Sequence, residues 1–109
     1  MVDFAPVGVV IPAYKAAGTI RRALQSVAAQ TLKPAQVIVV DDSSPVSAQD
    51  EIADLISAHP GKIRIVHRPN GGCGAARNTG LESIPANQKY VAFLDSDDEW
   101  EPHHLGTAV

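Results

Sequence analysis

Four short apolar runs, separated by stretches with helical spacing, set the pattern of the chain. Val7-Gly8-Val9-Val10-Ile11 is β-branched and apolar on both faces, as for a central strand covered on two sides, and Pro12 is expected to end it. Thr19 stands where an N-cap would, ahead of Ile20, Leu24, Val27 and Ala28 at i, i+4, i+7 and i+8, so a helix is predicted there. Lys33-Pro34 breaks that helix from Val37-Ile38-Val39-Val40, a second fully apolar strand closed by Asp41-Asp42-Ser43-Ser44-Pro45.

Ser47 and Asp50 have capping-box spacing, with Ile52, Leu55 and Ile56 as the apolar stripe behind them and Pro60-Gly61 as the stop. Ile63-Arg64-Ile65-Val66-His67 partly alternates, which suits a strand nearer the edge of a sheet. Asn70 to Gly74 is expected to be a flexible loop, followed by a small-residue helix from Ala75 to about Ile84 that Pro85 ends. Lys89 to Leu94 reads as a fourth strand, buried, with Asp95-Ser96-Asp97-Asp98 at its exit.

Strand–helix alternation at this spacing predicts an α/β fold, a parallel sheet with helices on both faces and right-handed crossovers. Ligands of such sheets bind outside the carboxyl ends of the strands, near the switch in strand order. Four polar segments fall on that edge: Pro12 to Lys15, Asp41 to Ser44, Asn70 to Gly74 and Asp95 to Asp98.

Composition narrows the classes. The 109 residues are one domain's worth, 45% apolar and 19% charged, an ordinary globular balance. A net charge of −3 gives no general affinity for nucleic acid or anionic membrane. Cys73 is the single cysteine, so neither an internal disulfide nor a multi-cysteine metal site is available. The N-terminus carries no basic region ahead of an apolar core, and no apolar run approaches the ~20 residues of a membrane helix, which makes the cytoplasm the expected location. At the other end Pro102 could start a helix in which Leu105, Ala108 and Val109 begin an apolar stripe that is not completed. The sequence reads as part of a longer protein cut at its C-terminus, with uncovered apolar surface that invites self-association.

The candidate chemistry is acidic. Asp95 and Asp97 are two positions apart, so on extended backbone their carboxylates share one side, a hard-oxygen pair suited to Mg²⁺ or Mn²⁺ that also keeps waters and ligand phosphates. Asp41 and Asp42 stay ionised together only if solvated, hydrogen-bonded or paired. One of them is expected to form an Asx-turn or helix cap, and Asp42 is the stronger candidate for accepting hydrogen bonds from a base or ribose. Tyr14 could stack on a base. Arg77, placed in the first turn or so of its helix, suits a phosphate or a carboxylate partner. His103-His104 reads as a solvated pair, Cys73 as a small loop residue and Trp100 as packing under the tail.

With these motifs assembled, the chain resembles the nucleotide-binding half of an inverting family 2 glycosyltransferase of the GT-A fold, a Rossmann-like nucleotide-diphospho-sugar transferase. Val9-Val10-Ile11-Pro12-Ala13-Tyr14-Lys15 resembles that family's opening strand and turn. Val39-Val40-Asp41-Asp42-Ser43-Ser44 is similar to its Val-Asp-Asp-Gly-Ser motif, with Ser43 in place of Gly. Asn70 to Gly80 resembles its Asn-x-Gly…Ala-Arg-Asn-x-Gly segment, and Phe93 to Pro102 its Asp-x-Asp element. The resemblance implies that residues 1–109 are the nucleotide-sugar-binding part, with Pro12, Ala13 and Tyr14 lining the base pocket and Asp42 accepting a hydrogen bond from a uracil-like base. It implies Arg77, Asp95 and Ser96 beside the nucleotide, Asp97 (with Asp95) on a divalent cation, and Asp98 as a weaker metal candidate. The donor would be a nucleotide sugar, UDP-linked by analogy, and the acceptor is not specified. The family's catalytic base is expected outside this stretch, which alone should not transfer sugar.

Two other classes fit less well. A dinucleotide-binding enzyme would use Gly72-Cys73-Gly74, but Arg77 replaces the third small residue and the loop follows the third strand rather than the first. A phosphoacceptor domain would need acidic residues after the first strand. A non-catalytic nucleotide-sugar-binding module describes the stretch by itself.

Overall fold

The computed structural model of the chain describes residues 5–14, 18–42, 48–59, 61–69, 71–84 and 88–108. Lys15, Ser43, Ser44, Pro45, Ser47, Pro60, Asn70, Pro85 and Val109, to which the sequence assigns turns, caps, stops or the end of a stripe, lie outside them. Nine elements run in the order β1 (Ala5–Ala13), α1 (Ile20–Ala28), β2 (Pro34–Asp41), α2 (Ala48–Glu51), α3 (Ala53–Ala58), β3 (Ile63–His67), α4 (Cys73–Ser83), β4 (Tyr90–Phe93) and α5 (His104–Ala108) among the described residues. The strands form one parallel sheet of order β3-β2-β1-β4. Successive strands step outward from β1 to β3, and β4 then joins the opposite side of β1. The switch in strand order therefore falls between β1 and β4.

Alternation along the central strands supplies two cores. Val7, Val9, Ile11 and Ala13 of β1, with Val37 and Val39 of β2, face Ile20, Ala23, Leu24 and Val27 of α1, and Ile52 and Leu105 complete that layer. Val10, Ile38 and Val40 face the other way, onto Ala76 of α4 and Ile84. Each fully buried Ile, Leu or Val contributes on the order of 1.5–3 kcal/mol. Helices thus cover both faces, as the pattern predicts. On the α4 face the helix comes so close that a β-carbon on Gly80 would collide with the Val10 side chain.

Several boundaries differ from expectation. Pro12 does not end β1, which continues to Ala13. Val10 turns its carbonyl to β4, accepting from Leu94 N–H at 3.1 Å, and Ala13 turns its own to β2, accepting from Asp42 N–H at 2.9 Å. By alternation the Pro12 nitrogen faces the β4 side, beyond the last paired residue, Phe93, where no ladder bond is lost. Thr19 occupies the N-cap position of α1, but its side chain makes no capping hydrogen bond. The helix predicted around Ile52 is interrupted there: Ile52 leaves helical geometry (φ −123°, ψ 19°) and is fully buried between α2 and α3. Helix α4 starts at Cys73 rather than Ala75, so residues 73 and 74 are helical and not loop.

The largest correction concerns β4. It is an edge strand, and Tyr90, Val91 and Phe93 are exposed, not buried. Its only strand neighbour among the described residues is β1, which leaves one hydrogen-bonding edge uncovered. β3, by contrast, is the edge strand its alternation suggested.

The segment after β4 is moored to α1. Gln30, fully buried, donates from Nε2 to the Ser26 carbonyl (3.1 Å) and to the Glu101 carbonyl (2.6 Å), and its Oε1 accepts from Leu105 N–H (3.0 Å). Trp100 N–H donates to Ser26 Oγ at 3.0 Å, and Thr31 N–H to the Pro102 carbonyl at 2.9 Å. The two histidines are not merely solvated: His103 Nδ1 lies 3.1 Å from Thr31 Oγ1, and His104 stacks on Trp100 with ring centroids 4.6 Å apart. An apolar cavity of about 240 Å³, lined by Leu24, Val27, Val37 and Ile63, opens near the start of β2 and β3, at the opposite end of the sheet from the acidic residues.

Candidate functional site

The carboxyl ends of the four strands deliver the polar residues to one edge. Asp42 leaves β2 with its backbone N–H still bonded to Ala13 at the end of β1, and Arg68 leaves β3 with its N–H on the Asp41 carbonyl (3.0 Å). The parallel register pairs Asp41 with His67, so Asp42 and Arg68 emerge side by side. On the far side of β1, β4 carries the chain into Asp95 to Asp98.

Asp42 is almost completely buried and heavily partnered. Its Oδ1 accepts from Gly71 N–H (3.1 Å) and faces Arg68 Nε (3.0 Å), and its Oδ2 accepts from Gly72 N–H (3.0 Å). Asp41, also buried, faces His67 Nδ1 at 3.6 Å. The requirement that adjacent carboxylates each find a donor or cation is met by these neighbours, and Asp42 serves the 71–72 loop. Arg68 spreads over this corner, its Nη1 donating to the Ala75 carbonyl (2.8 Å) and Thr79 Oγ1 (2.7 Å) on α4.

Arg77 is the fifth residue of α4, two positions deeper than a start at Ala75 would place it. Its Nη2 donates to Asp95 Oδ1 at 3.0 Å with both side chains about half exposed, a contact worth little to stability but one that joins α4 to the β4 exit. Asp95 to Asp98 is a turn, closed by Asp98 N–H on the Asp95 carbonyl (3.0 Å), with Asp98 Oδ1 accepting from Glu99 N–H (2.8 Å). The extended backbone assumed for the Asp95–Asp97 pair is therefore absent, and their common side does not follow from strand alternation. Both carboxylates are exposed, and that of Asp97 makes no ion pair or hydrogen bond among the described residues. Ser96, between them, is half-buried. Pro12 and Ala13 are buried, so Tyr14 alone of that trio presents an exposed side chain.

No group of three or more His, Cys, Asp or Glu side chains among the described residues forms a protein-only metal cage. Two exposed carboxylates on one turn do fit a cation shared with a diphosphate, because Mg²⁺ is commonly held by one or two carboxylates plus phosphate oxygens and water. Sequence patterning put Tyr14, Asp42, Arg77 and Asp95 at the carboxyl edge of the sheet, where the structure also has them. It missed Arg68 and Gln30. The signal for Arg68 was its place directly after β3, level with Asp42 in a parallel register; Gln30 carried none, since the groups it moors are backbone atoms 71 and 75 residues away.

A parallel sheet with this strand order and a polar rim at the switch point is the architecture of the GT-A transferases. The chain belongs to a family with that fold: its sequence matches Glycosyl transferase family 2 over residues 8–109. Among curated relatives it is 54% identical over 98 residues to the succinoglycan biosynthesis protein ExoW of Rhizobium meliloti, covering 89% of this chain and 31% of that protein. Among solved structures it is similar to S. aureus TarS 1–349 in complex with UDP-GlcNAc (TM-score 0.76, 28% identity, 94% of this chain and 29% of that one). It is also similar to the mannosyltransferase PcManGT of Pyrobaculum calidifontis in complex with GDP-Man and Mn²⁺ (TM-score 0.76, 26% identity, 91% and 31%). The chain thus spans less than a third of these proteins.

Proposed function

We propose that residues 1–109 form the nucleotide-sugar-binding part of a glycosyltransferase that moves a sugar from a nucleotide diphosphate, UDP in the first instance, to an acceptor hydroxyl with inversion at the anomeric carbon. The carrying observation is the convergence of Tyr14, Asp42, Arg77 and the Asp95–Asp98 turn on one edge at the strand-order switch, with Arg77 bonded to Asp95. Tyr14 stacks on the base at the mouth formed by Pro12 and Ala13, and Asp42 accepts an N–H from its edge. Arg77, Asp95 and Ser96 flank the ribose and diphosphate. Asp97, with Asp95, holds Mg²⁺ or Mn²⁺, which supplies Lewis-acid stabilisation of the charge on the departing diphosphate. The base that deprotonates the acceptor lies outside residues 1–109, so these residues alone bind donor without transferring sugar.

Support for this reading comes from the nucleotide sugars in the TarS and PcManGT structures and the Mn²⁺ in the latter. We extend it to a cytoplasmic location. The test is UDP binding by calorimetry with and without Mn²⁺. Asp97→Ala is expected to cost roughly tenfold or more in metal-dependent affinity; UDP affinity indifferent to both Mn²⁺ and the substitution would sink the assignment. Sugar transfer detected with residues 1–109 alone would overturn the placement of the base outside them. The exposed β4 edge further predicts self-association, measured by light scattering, and weakened by Phe93→Asn; a monomer at high concentration would contradict it.

A further inference from the structure

Arg68 stands where three pieces of the rim meet, and one planar group touches them all. Its Nε lies 3.0 Å from Asp42 Oδ1 and also donates to the Pro69 carbonyl at 2.9 Å. The far end of the same guanidinium reaches Ala75 and Thr79, in the first two turns of α4. The carboxylate it meets also receives the N–H groups of Gly71 and Gly72. The end of β2, the loop and the start of α4 are therefore fixed relative to one another through a single pair, Asp42 and Arg68. The Arg68 side chain is 22% exposed and that of Asp42 4%, so the contact is well shielded from water.

We propose that Arg68 is a positioning residue for nucleotide-base recognition: it fixes the direction of the Asp42 carboxylate before the ligand arrives. This rests on the reading of Asp42 as the base acceptor given above. A carboxylate accepts along its lone-pair directions, so an N–H donor on a base edge is discriminated only if the carboxylate cannot turn to follow a different donor. The guanidinium meets Asp42 Oδ1 through Nε while its Nη1 is anchored on Ala75 and Thr79, whereas an ammonium is a single point charge that cannot span Asp42 and Thr79 together. The diphosphate end of the site, at Asp95 and Asp97, receives none of the Arg68 hydrogen bonds described above. Loss of Arg68 should therefore be felt at the base and not at the phosphates.

The experiment is calorimetric titration of the wild type, Arg68→Lys and Arg68→Met with two probes, UDP and inorganic pyrophosphate, each with Mn²⁺. Arg68→Met is expected to bind UDP about tenfold more weakly, since small misplacements of a recognising group carry losses of this order or larger, while pyrophosphate affinity is retained. Arg68→Lys should fall between, and it carries the test if the Met variant does not fold. Unchanged UDP affinity, or UDP and pyrophosphate weakened alike, overturns the proposal, the second result being that of a merely structural arginine. A wild type that binds UDP no more tightly than pyrophosphate overturns both this inference and the base-acceptor reading of Asp42, because no base contribution would then exist to be positioned.

Discussion

Replacing Gly80 with alanine tests how α4 is seated. A β-carbon there would overlap Val10 Cγ1 and lie 3.0 Å from Cγ2 and 3.2 Å from Cβ, against the ~3.5–4.0 Å of an ordinary carbon–carbon contact. Val10 is fully buried at the centre of the sheet, and a β-branched side chain has few rotamers into which to turn. Relief therefore means lifting α4 from β1 by about an ångström. Overpacking of this kind costs ~1–3 kcal/mol, partly offset by the ~1 kcal/mol that alanine gains over glycine inside a helix. A net loss of up to about 2 kcal/mol follows, which in a domain of this size lowers Tm by roughly 4–8 °C for each kcal/mol. The same helix supplies its own control, because a β-carbon on Gly74 would meet nothing within 4 Å. Gly74→Ala should be neutral or stabilising, by up to about 1 kcal/mol. Thermal melts of the two variants side by side are the assay. Shifts in the same direction would refute the close approach of α4 to β1, and with it the account of why a glycine stands one turn beyond Arg77.

Two further perturbations probe the α1 side. Asp54 receives a forked hydrogen bond from Arg21 (2.7 and 2.9 Å), which holds its carboxyl below the usual range, at about 2. A folded value depressed below the unfolded one gives a contribution that is present above the ordinary carboxylate range and lost as the pH falls through about 2. The stability difference between wild type and Asp54→Asn should accordingly vanish on acidification and shrink with salt; a difference that grows at low pH would contradict the pairing. Gln30→Leu leaves the Glu101 carbonyl and Leu105 N–H without their buried partner, at ~1–3 kcal/mol for each group left unsatisfied. Trp100, the single tryptophan, should then report the release of its segment as red-shifted fluorescence, and an unchanged spectrum would disprove the mooring.

The sheet was legible because burial on two faces demands unbroken β-branched runs, and β1 and β2 carry them. The gathering of Tyr14, Asp42, Arg77 and Asp95 on one edge followed from parallel topology, which sends every strand's carboxyl end the same way. Local rules failed where a neighbour decides. Pro12 terminates a strand only if its missing N–H interrupts a ladder, and here β4 has already ended. Tyr90 to Phe93 has the composition of a buried strand, yet exposure is set by what covers it and not by the strand's own residues. The Asp95–Asp97 alternation assumed extended backbone, and Asp98 closes a turn there instead. Arg68 was marked only by its register beside Asp42, and Gln30 ties down backbone groups 71 and 75 residues away, which no spacing rule reaches.

The mooring of residues 100–105 by Gln30, Ser26 and Thr31 has a bearing on the acidic turn itself. Asp95 to Asp98 is strung over a short span, with Leu94 hydrogen-bonded into β1 on one side and Trp100 bonded to Ser26 on the other. A span held at both ends samples few conformations, so most of its disorder is lost when the protein folds. Little is left to lose when a ligand is gripped. A glutamine just past the end of α1, remote from any ligand chemistry, thereby helps determine how tightly two exposed aspartates can hold what they bind.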